Sequence, residues 1–214
     1  MGHDAYWTRF GGKEDSFESV GIRTPDFSGP IFRIHPVMNL PGLYRSSRPG
    51  YSQKRVSKET LKDALLAMKE DGITNVACLL TDGEYFSYYG KDLVRYYRSM
   101  GFKVHRFPIM DFSVPRVEAA YQLAVEVLAA INEGKKVLVH CSAGIGRTGL
   151  AINCILQLYG ALKKVDLGKV PSETSQQRAF TTTFRHHLSR LGILKKKKPK
   201  KKRRKKNDKH KGVS

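Results

Sequence analysis

Residues 135–158 read KKVLVHCSAGIGRTGLAINCILQL, and this stretch decides the fold. Lys135 and Lys136 lead into Val137-Leu138-Val139, an apolar run of the kind that forms a buried strand. Beyond it, Leu150, Ile152, Ile155, Leu156 and Leu158 give the broad apolar surface of a helix predicted over Gly149–Leu158. The ten residues from His140 to Gly149 then join a strand to a helix N-terminus. Successive backbone N–H groups in such a loop, together with the helix dipole, make an anion site. Gly144 and Gly146 permit the backbone angles and the close approach that a tight cradle needs.

The side chains in the loop specify the chemistry. Cys141 stands at the strand end facing those N–H groups, a field that favours the nucleophilic thiolate. Arg147 follows six positions later, so the loop can turn its planar fork onto two phosphate oxygens. The amides of Ser142, Ala143, Gly144, Ile145 and Gly146 complete the substrate-binding set with Arg147. Thr148 offers a hydroxyl to a departing thiolate, and His140 can orient the loop through its backbone. A cysteine buried in a loop used only to bind phosphate is the plainer reading. Cys and Arg bracketing two glycines between strand and helix favour catalysis.

The segment HCSAGIGRTG resembles the signature loop of the cysteine-based protein tyrosine phosphatases, Cys-x5-Arg followed by Ser or Thr. The resemblance implies a cysteinyl-phosphate intermediate, no metal or other cofactor, and a separate aspartic acid as general acid. That acid is expected across the phosphate from Cys141, on a neighbouring loop. PIMDFSVP, residues 108–115, carries a single acid, Asp111, and resembles the acid loop of the dual-specificity and related small phosphatases. Cleavage of an alkyl phosphate needs a proton on the leaving oxygen, which Asp111 would supply. The competing role, capping the next helix, is awkward because Val114-Pro115 stands nearer that helix start. ETSQQRAF, residues 173–180, resembles the family pattern that puts Gln177 in the place of a water-orienting glutamine; a surface glutamine on a final helix Ser175–Leu191 stays open beside it.

Outward from the loop, hydrophobic periodicity sets the remaining elements. Short strands are expected at Ile31–Ile34 and Gly42–Arg45, and a helix over Ser57–Asp71 capped by Ser57 and ended by Gly72. A buried strand follows at Ile73–Leu80, then an aromatic-rich loop Thr81–Tyr89, a helix Lys91–Met100 and a strand Phe102–Phe107. Arg116–Glu133 is a long amphipathic helix. Alternating strands and helices predict an α/β fold: a central, mostly parallel twisted sheet with helices on both faces, and the signature loop at a strand's carboxyl end. GLYRSSRPG, residues 42–50, resembles the stretch before the first helix of small dual-specificity-like phosphatases. Arg45 and Arg48 there either receive an anionic substrate or serve structure. Tyr85, Phe86, Tyr88 and Tyr89 either wall the site or pack their loop.

The charge is uneven. Lys and Arg number 39 against 19 Asp and Glu in 214 residues, a net of +20. Lys195–Lys211 holds thirteen of the basic residues and one Asp, a net of +12, leaving +8 for the rest. Three regions are expected: an irregular arm over 1–30, a phosphatase domain over 31–193 and a disordered polybasic tail over 194–214. The tail fits a nuclear import receptor, nucleic-acid phosphates or anionic lipid, with import and a nuclear location favoured over the cytoplasm. Cys78, Cys141 and Cys154, without a secretory signal or an apolar run of membrane length, predict a reducing, soluble compartment with no transmembrane segment. The resemblance implies a phosphoprotein substrate, phosphotyrosine and phosphoserine/threonine alike, because the recognition segment of the larger tyrosine-specific enzymes is missing. Two alternatives remain: an RNA 5′-triphosphatase of the same superfamily, and a non-catalytic phosphate-binding scaffold tethered to nucleic acid. Lipid phosphatases of the superfamily carry loop lysines where this chain has Ser142 and Ile145. The RNA enzymes carry His and Asn where it has Ala143 and Gly146. Some relatives also protect the nucleophile by a disulfide to a neighbouring strand, for which Cys78 is the candidate.

Overall fold

The computed structural model describes residues 32–170 and 172–194. The expected N-terminal arm and, beyond Leu194, the expected polybasic tail lie outside them. Among the described residues five strands form one sheet: β1 (His35–Pro36), β2 (Leu43–Ser46), β3 (Asn75–Cys78), β4 (Lys103–Arg106) and β5 (Val137–His140). Their order is β1-β2-β5-β3-β4. All neighbours run parallel except β1 on β2. β3 and β5 are buried along their whole length, which is why NVAC and VLVH are nearly continuous apolar runs. β5 is central, its His140 aligned with Ser46 of β2 on one side and Cys78 of β3 on the other. Three parallel chains therefore leave the sheet together, and the signature loop emerges between the other two.

Among the described residues six helices cover the faces: α1 (Lys58–Glu70), α2 (Asp82–Tyr89), α3 (Leu93–Ser99), α4 (Val117–Asn132), α5 (Gly146–Lys163) and α6 (Ser175–Arg190). One core joins Leu43, Ala77, Val137 and Val139 of the sheet to Leu123, Val127, Leu150, Ile155 and Phe184 of α4, α5 and α6. The other joins Val76, Cys78 and Leu138 to Leu61, Leu65, Tyr85 and Tyr97 of α1, α2 and α3. Each such large side chain contributes about 1.5–3 kcal/mol when fully removed from water. The expected α/β architecture, a mostly parallel sheet between two helical layers, is the one observed.

Three local expectations are corrected. The first strand is His35–Pro36, not Ile31–Ile34. Its partner β2 fixes the pairing, and a proline is tolerated because β1 is an edge. Thr81–Tyr89 is not a loop but holds α2, started by a capping box in which the Thr81 side chain accepts from the Glu84 N–H and the Glu84 side chain accepts from the Thr81 N–H. The helix after the signature loop starts at Gly146, three residues earlier than expected, and runs on to Lys163. Arg147 and Thr148 therefore sit in its first turn and not in the loop.

Candidate active site

The signature loop is Cys141–Ile145, between the end of β5 and the first turn of α5. No side chain caps α5: Ile145 stands at its N-cap without a side-chain hydrogen bond. The first amides of that helix are left to an anion. Ser142, Ala143 and Ile145 are half-buried, while Cys141 and Gly144 are buried. The Gly144 N–H donates to Cys141 Sγ at 3.3 Å. Gly144 has φ +77°, and a Cβ there would lie 2.4 Å from the Ser46 carbonyl oxygen. Only glycine fits, because the loop presses against the chain leaving β2. The Arg48 N–H donates to the Ser142 carbonyl at 2.8 Å, and Arg45 Nη2 donates to the Gly144 carbonyl. On the helix side a Cβ at Gly146 would meet Glu173 Oε2 at 2.4 Å, so the start of α6 packs directly on the first turn of α5.

Arg147 is 1% exposed. Its Nη1 and Nη2 donate to Glu84 Oε2 and Oε1 at 2.9 and 2.8 Å, a bidentate pair. Nη1 also donates to the Ile109 carbonyl at 2.9 Å, and Nη2 reaches Asp111 Oδ1 at 3.1 Å. Nε is buried and has no partner. Four of the five N–H groups are thus engaged by protein, and Nε is the one left over. Burial works against the Arg147 charge, but Glu84, Cys141 and Asp111 outweigh it and raise the pKa further. Burial likewise raises the Glu84 carboxyl, and hydrogen bonds from Arg147 and Thr81 more than reverse this.

Asp111 lies beyond β4 on a turn closed by the Ser113 N–H to the Met110 carbonyl at 3.1 Å. Its side chain is 51% exposed and accepts from the Phe112 N–H at 3.1 Å. Phe112 has φ +59°, a left-handed conformation unusual for so large a residue. Asp111 does not cap α4, whose N-cap is Arg116 with no side-chain hydrogen bond.

His140 is fully buried, and that burial pushes its pKa down to about 4. Its Nδ1 lies 3.1 Å from the Cys141 carbonyl and its Nε2 3.0 Å from the Tyr97 hydroxyl. A carbonyl only accepts, so Nδ1 carries the proton and Nε2 accepts from Tyr97. Thr148 Oγ1 is buried in the first turn of α5 with no hydrogen-bond partner. Gln177 is fully buried: its Oε1 accepts from the N–H groups of Glu173 and Thr174, and its Nε2 donates to the Ser113 carbonyl. It is therefore not a surface residue. Both ends of its amide are committed to backbone, tying α6 to the acid loop.

Arg45 and Arg48 are buried behind the loop, and Tyr85 and Tyr89 are core residues; Phe86 alone of its cluster is strongly exposed. Cys78 faces the α1–α3 core, with its sulfur 3.5 Å from the Tyr85 hydroxyl, whereas Cys141 belongs to the opposite core. A Cys78–Cys141 disulfide would have to cross the sheet. Glu84, the bidentate partner of Arg147, is the candidate site residue that sequence reasoning missed. Its signal was the capping pattern Thr81-x-x-Glu84 hidden among aromatics. Among the described residues no His/Cys/Asp/Glu cluster could hold a metal, and no helix is long and apolar enough to cross a membrane.

The family model described as cyclin-dependent kinase inhibitor 3 (CDKN3) matches residues 37–164. Cyclin-dependent kinase inhibitor 3 of Rattus norvegicus is 31% identical over 108 residues, 50% of this chain and 50% of the rat protein. The Homo sapiens protein of that name is 30% identical over 108 residues, with the same shares. The chain thus aligns over half the length of these relatives. Among solved structures, kinase associated phosphatase with its catalytic cysteine replaced by serine superposes with a TM-score of 0.61 at 22% identity, covering 77% of this chain and 98% of that one. Tk-PTP in its active form gives 0.51 at 23% identity, covering 67% and 91%. PTPMT1 in complex with PI(5)P gives 0.56 at 13% identity, covering 74% and 98%. At these identities the likeness is one of fold.

Proposed function

The chain belongs to the cyclin-dependent kinase inhibitor 3 family, within the cysteine-based phosphatase superfamily, and from that premise we propose that it hydrolyses phosphoprotein monoesters through a cysteinyl-phosphate at Cys141. The observation that carries this reading is the Asp111–Arg147 contact at 3.1 Å, which joins the acid loop to the first turn of α5, directly after the signature loop. In the first step the Cys141 sulfur attacks phosphorus and the bond to the leaving oxygen breaks. Asp111, released from Arg147, gives that oxygen its proton. The loop amides and the Nε and Nη2 edge of Arg147 hold the equatorial oxygens. In the second step water attacks phosphorus, the Asp111 carboxylate takes its proton, and the Cys141 thiolate departs with the Thr148 hydroxyl as its donor. His140 and Gln177 support the two loops from below. No step calls on a metal or another cofactor.

Phosphotyrosine and phosphoserine/threonine are both proposed as substrates, with a phosphorylated cyclin-dependent kinase as the partner suggested by the relatives' name. For the Lys195–Lys211 run, nuclear import is the proposed use, tested by moving that segment onto a reporter protein. The test of the reaction is phosphate release from a phosphotyrosine peptide at mildly acidic pH, with reductant and chelator present. Turnover that disappears in Cys141→Ser is expected. A folded chain that releases no phosphate would sink the reading, and 5′-triphosphorylated RNA would become the next substrate to try.

A further inference from the structure

Arg45 points inward from β2 at 7% exposure, and no carboxylate pairs with it among the described residues. A buried guanidinium without a counter-ion is costly unless something repays its desolvation. Burial lowers the Arg45 pKa, and the charge that opposes this is Cys141. Its neighbour across the β1–β2 pair, His35, is no counter-ion: burial and then Arg45 itself depress its pKa. Arg48, three residues on, is different. Its guanidinium is committed to the carbonyls of Gly50, Tyr51 and Gln53 and lies 3.7 Å over the Tyr88 ring, so it braces its own turn.

The hydrogen bond from Arg45 to the Gly144 carbonyl has a consequence on the other side of the loop. No peptide bond in the described chain is cis. In a trans peptide the C=O and N–H point in opposite directions. Drawing the Gly144 carbonyl towards β2 therefore turns the Ile145 N–H away from β2, towards the cradle. The Arg48 N–H does the same to the Ser142 carbonyl, and so to the Ala143 N–H. With the Gly144 N–H already on Cys141 Sγ, the Ala143, Gly144 and Ile145 amides all face the cradle.

We propose that Arg45 is the positioning residue of the anion loop: it never touches the substrate, but from behind it holds the Gly144 peptide in register and supplies a fixed positive charge to the thiolate and the bound oxyanion. The inference rests on the reading of residues 141–147 as a phosphate site. The other groups that act on Cys141 are Arg147 from α5 and Tyr51 from the segment after β2, with Asp111 and Glu84 acting through Arg147 and His140 neutral beneath. Arg147 is already neutralised in part by two carboxylates. Among the described residues neither Arg45 nor Arg48 pairs with a carboxylate, and of the two it is Arg45 whose guanidinium donates to the loop itself.

The test has two arms. In a Cys141→Ser background, tungstate affinity is measured by calorimetry with Arg45 intact, as Arg45→Gln and as Arg45→Lys. Arg45→Gln is expected to weaken tungstate about tenfold or more, and Arg45→Lys by less. With Cys141 present, the ratio of its alkylation rates by iodoacetate and iodoacetamide reads the local positive potential. That ratio should fall several-fold in Arg45→Gln and recover in Arg45→Lys. Unchanged affinity and ratio in Arg45→Gln would overturn the inference. So would a ratio that stays low in Arg45→Lys, since that makes Arg45 a packing residue. If the chain with Arg45 intact binds no tungstate, the phosphate-site reading itself has failed, a distinct result.

Discussion

The two loops that meet at Arg147 are built in opposite ways. The signature loop is buried or half-buried and held from behind at several points: Gly144 against Ser46, the Ser142 and Gly144 carbonyls on Arg48 and Arg45, and Gly146, where α5 begins, under Glu173. The acid loop stands out in solvent, with Met110 73% and Phe112 47% exposed, and its carboxylate is held by one ion pair and its own turn. The difference teaches how the labour divides. Oxyanion binding depends on dipoles that need not reorganise during reaction. In the proposed mechanism proton delivery needs a group that can leave Arg147 for the leaving oxygen, and a loop with few constraints suits that role.

Four substitutions test that contrast. The largest effect is expected from Asp111→Asn, which should lower kcat by about 10²–10⁴-fold while leaving the melting temperature unchanged. Steady-state kinetics with differential scanning calorimetry check both halves. Gly144→Ala should do the reverse and damage the frame. The new methyl meets the Ser46 carbonyl and φ is +77°, so a stability loss of about 1–3 kcal/mol is expected together with loss of oxyanion binding. Denaturant titration with and without tungstate reads it. A rigid loop with near-wild-type stability in Gly144→Ala would end the comparison.

Acid should act on the rigid loop through His140. The folded chain keeps it neutral down to about pH 4, whereas the unfolded chain protonates it near 6.5. Between those values the unfolded state binds the extra proton. The stability that His140 contributes is whole above about 6.5 and falls as the pH drops towards 4, by up to about 3 kcal/mol. Denaturant midpoints at pH 7 and 4.5 should therefore lie further apart in the natural chain than in His140→Gln. The smallest effect belongs to the acid loop. Phe112 is held in a conformation that costs about 1 kcal/mol for a non-glycine residue, so Phe112→Gly should raise stability by about 0.5–1 kcal/mol. A destabilised Phe112→Gly would mean that the ring packs more than its exposure implies.

What could be read in advance follows the range of the interactions. Cys141, Arg147 and the loop amides belong to one strand–loop–helix unit, and their six-residue spacing carries their geometry. Asp111 was legible because a lone acid on a strand-end loop has few other uses. Glu84 was not, because its partner lies 63 positions away and its own helix passed for an aromatic loop. Gln177 was placed on the right helix, but no local pattern shows that both ends of its amide are bound to backbone.

Apart from α2 and the place of β1, the order of strands and helices, the mostly parallel sheet and the position of the anion loop could be read from the chain alone, since these follow from hydrophobic period and glycine spacing along a continuous stretch. Only the tertiary structure decided how that loop is held. The Gly144 carbonyl finds its donor 99 residues away on β2, because β2 and β5 lie side by side and end together. The chain alone leaves Arg45 open between substrate and structure, and the fold puts it beneath the anion site. Pairing between strands distant in sequence is set by packing of the whole sheet, which no local pattern contains.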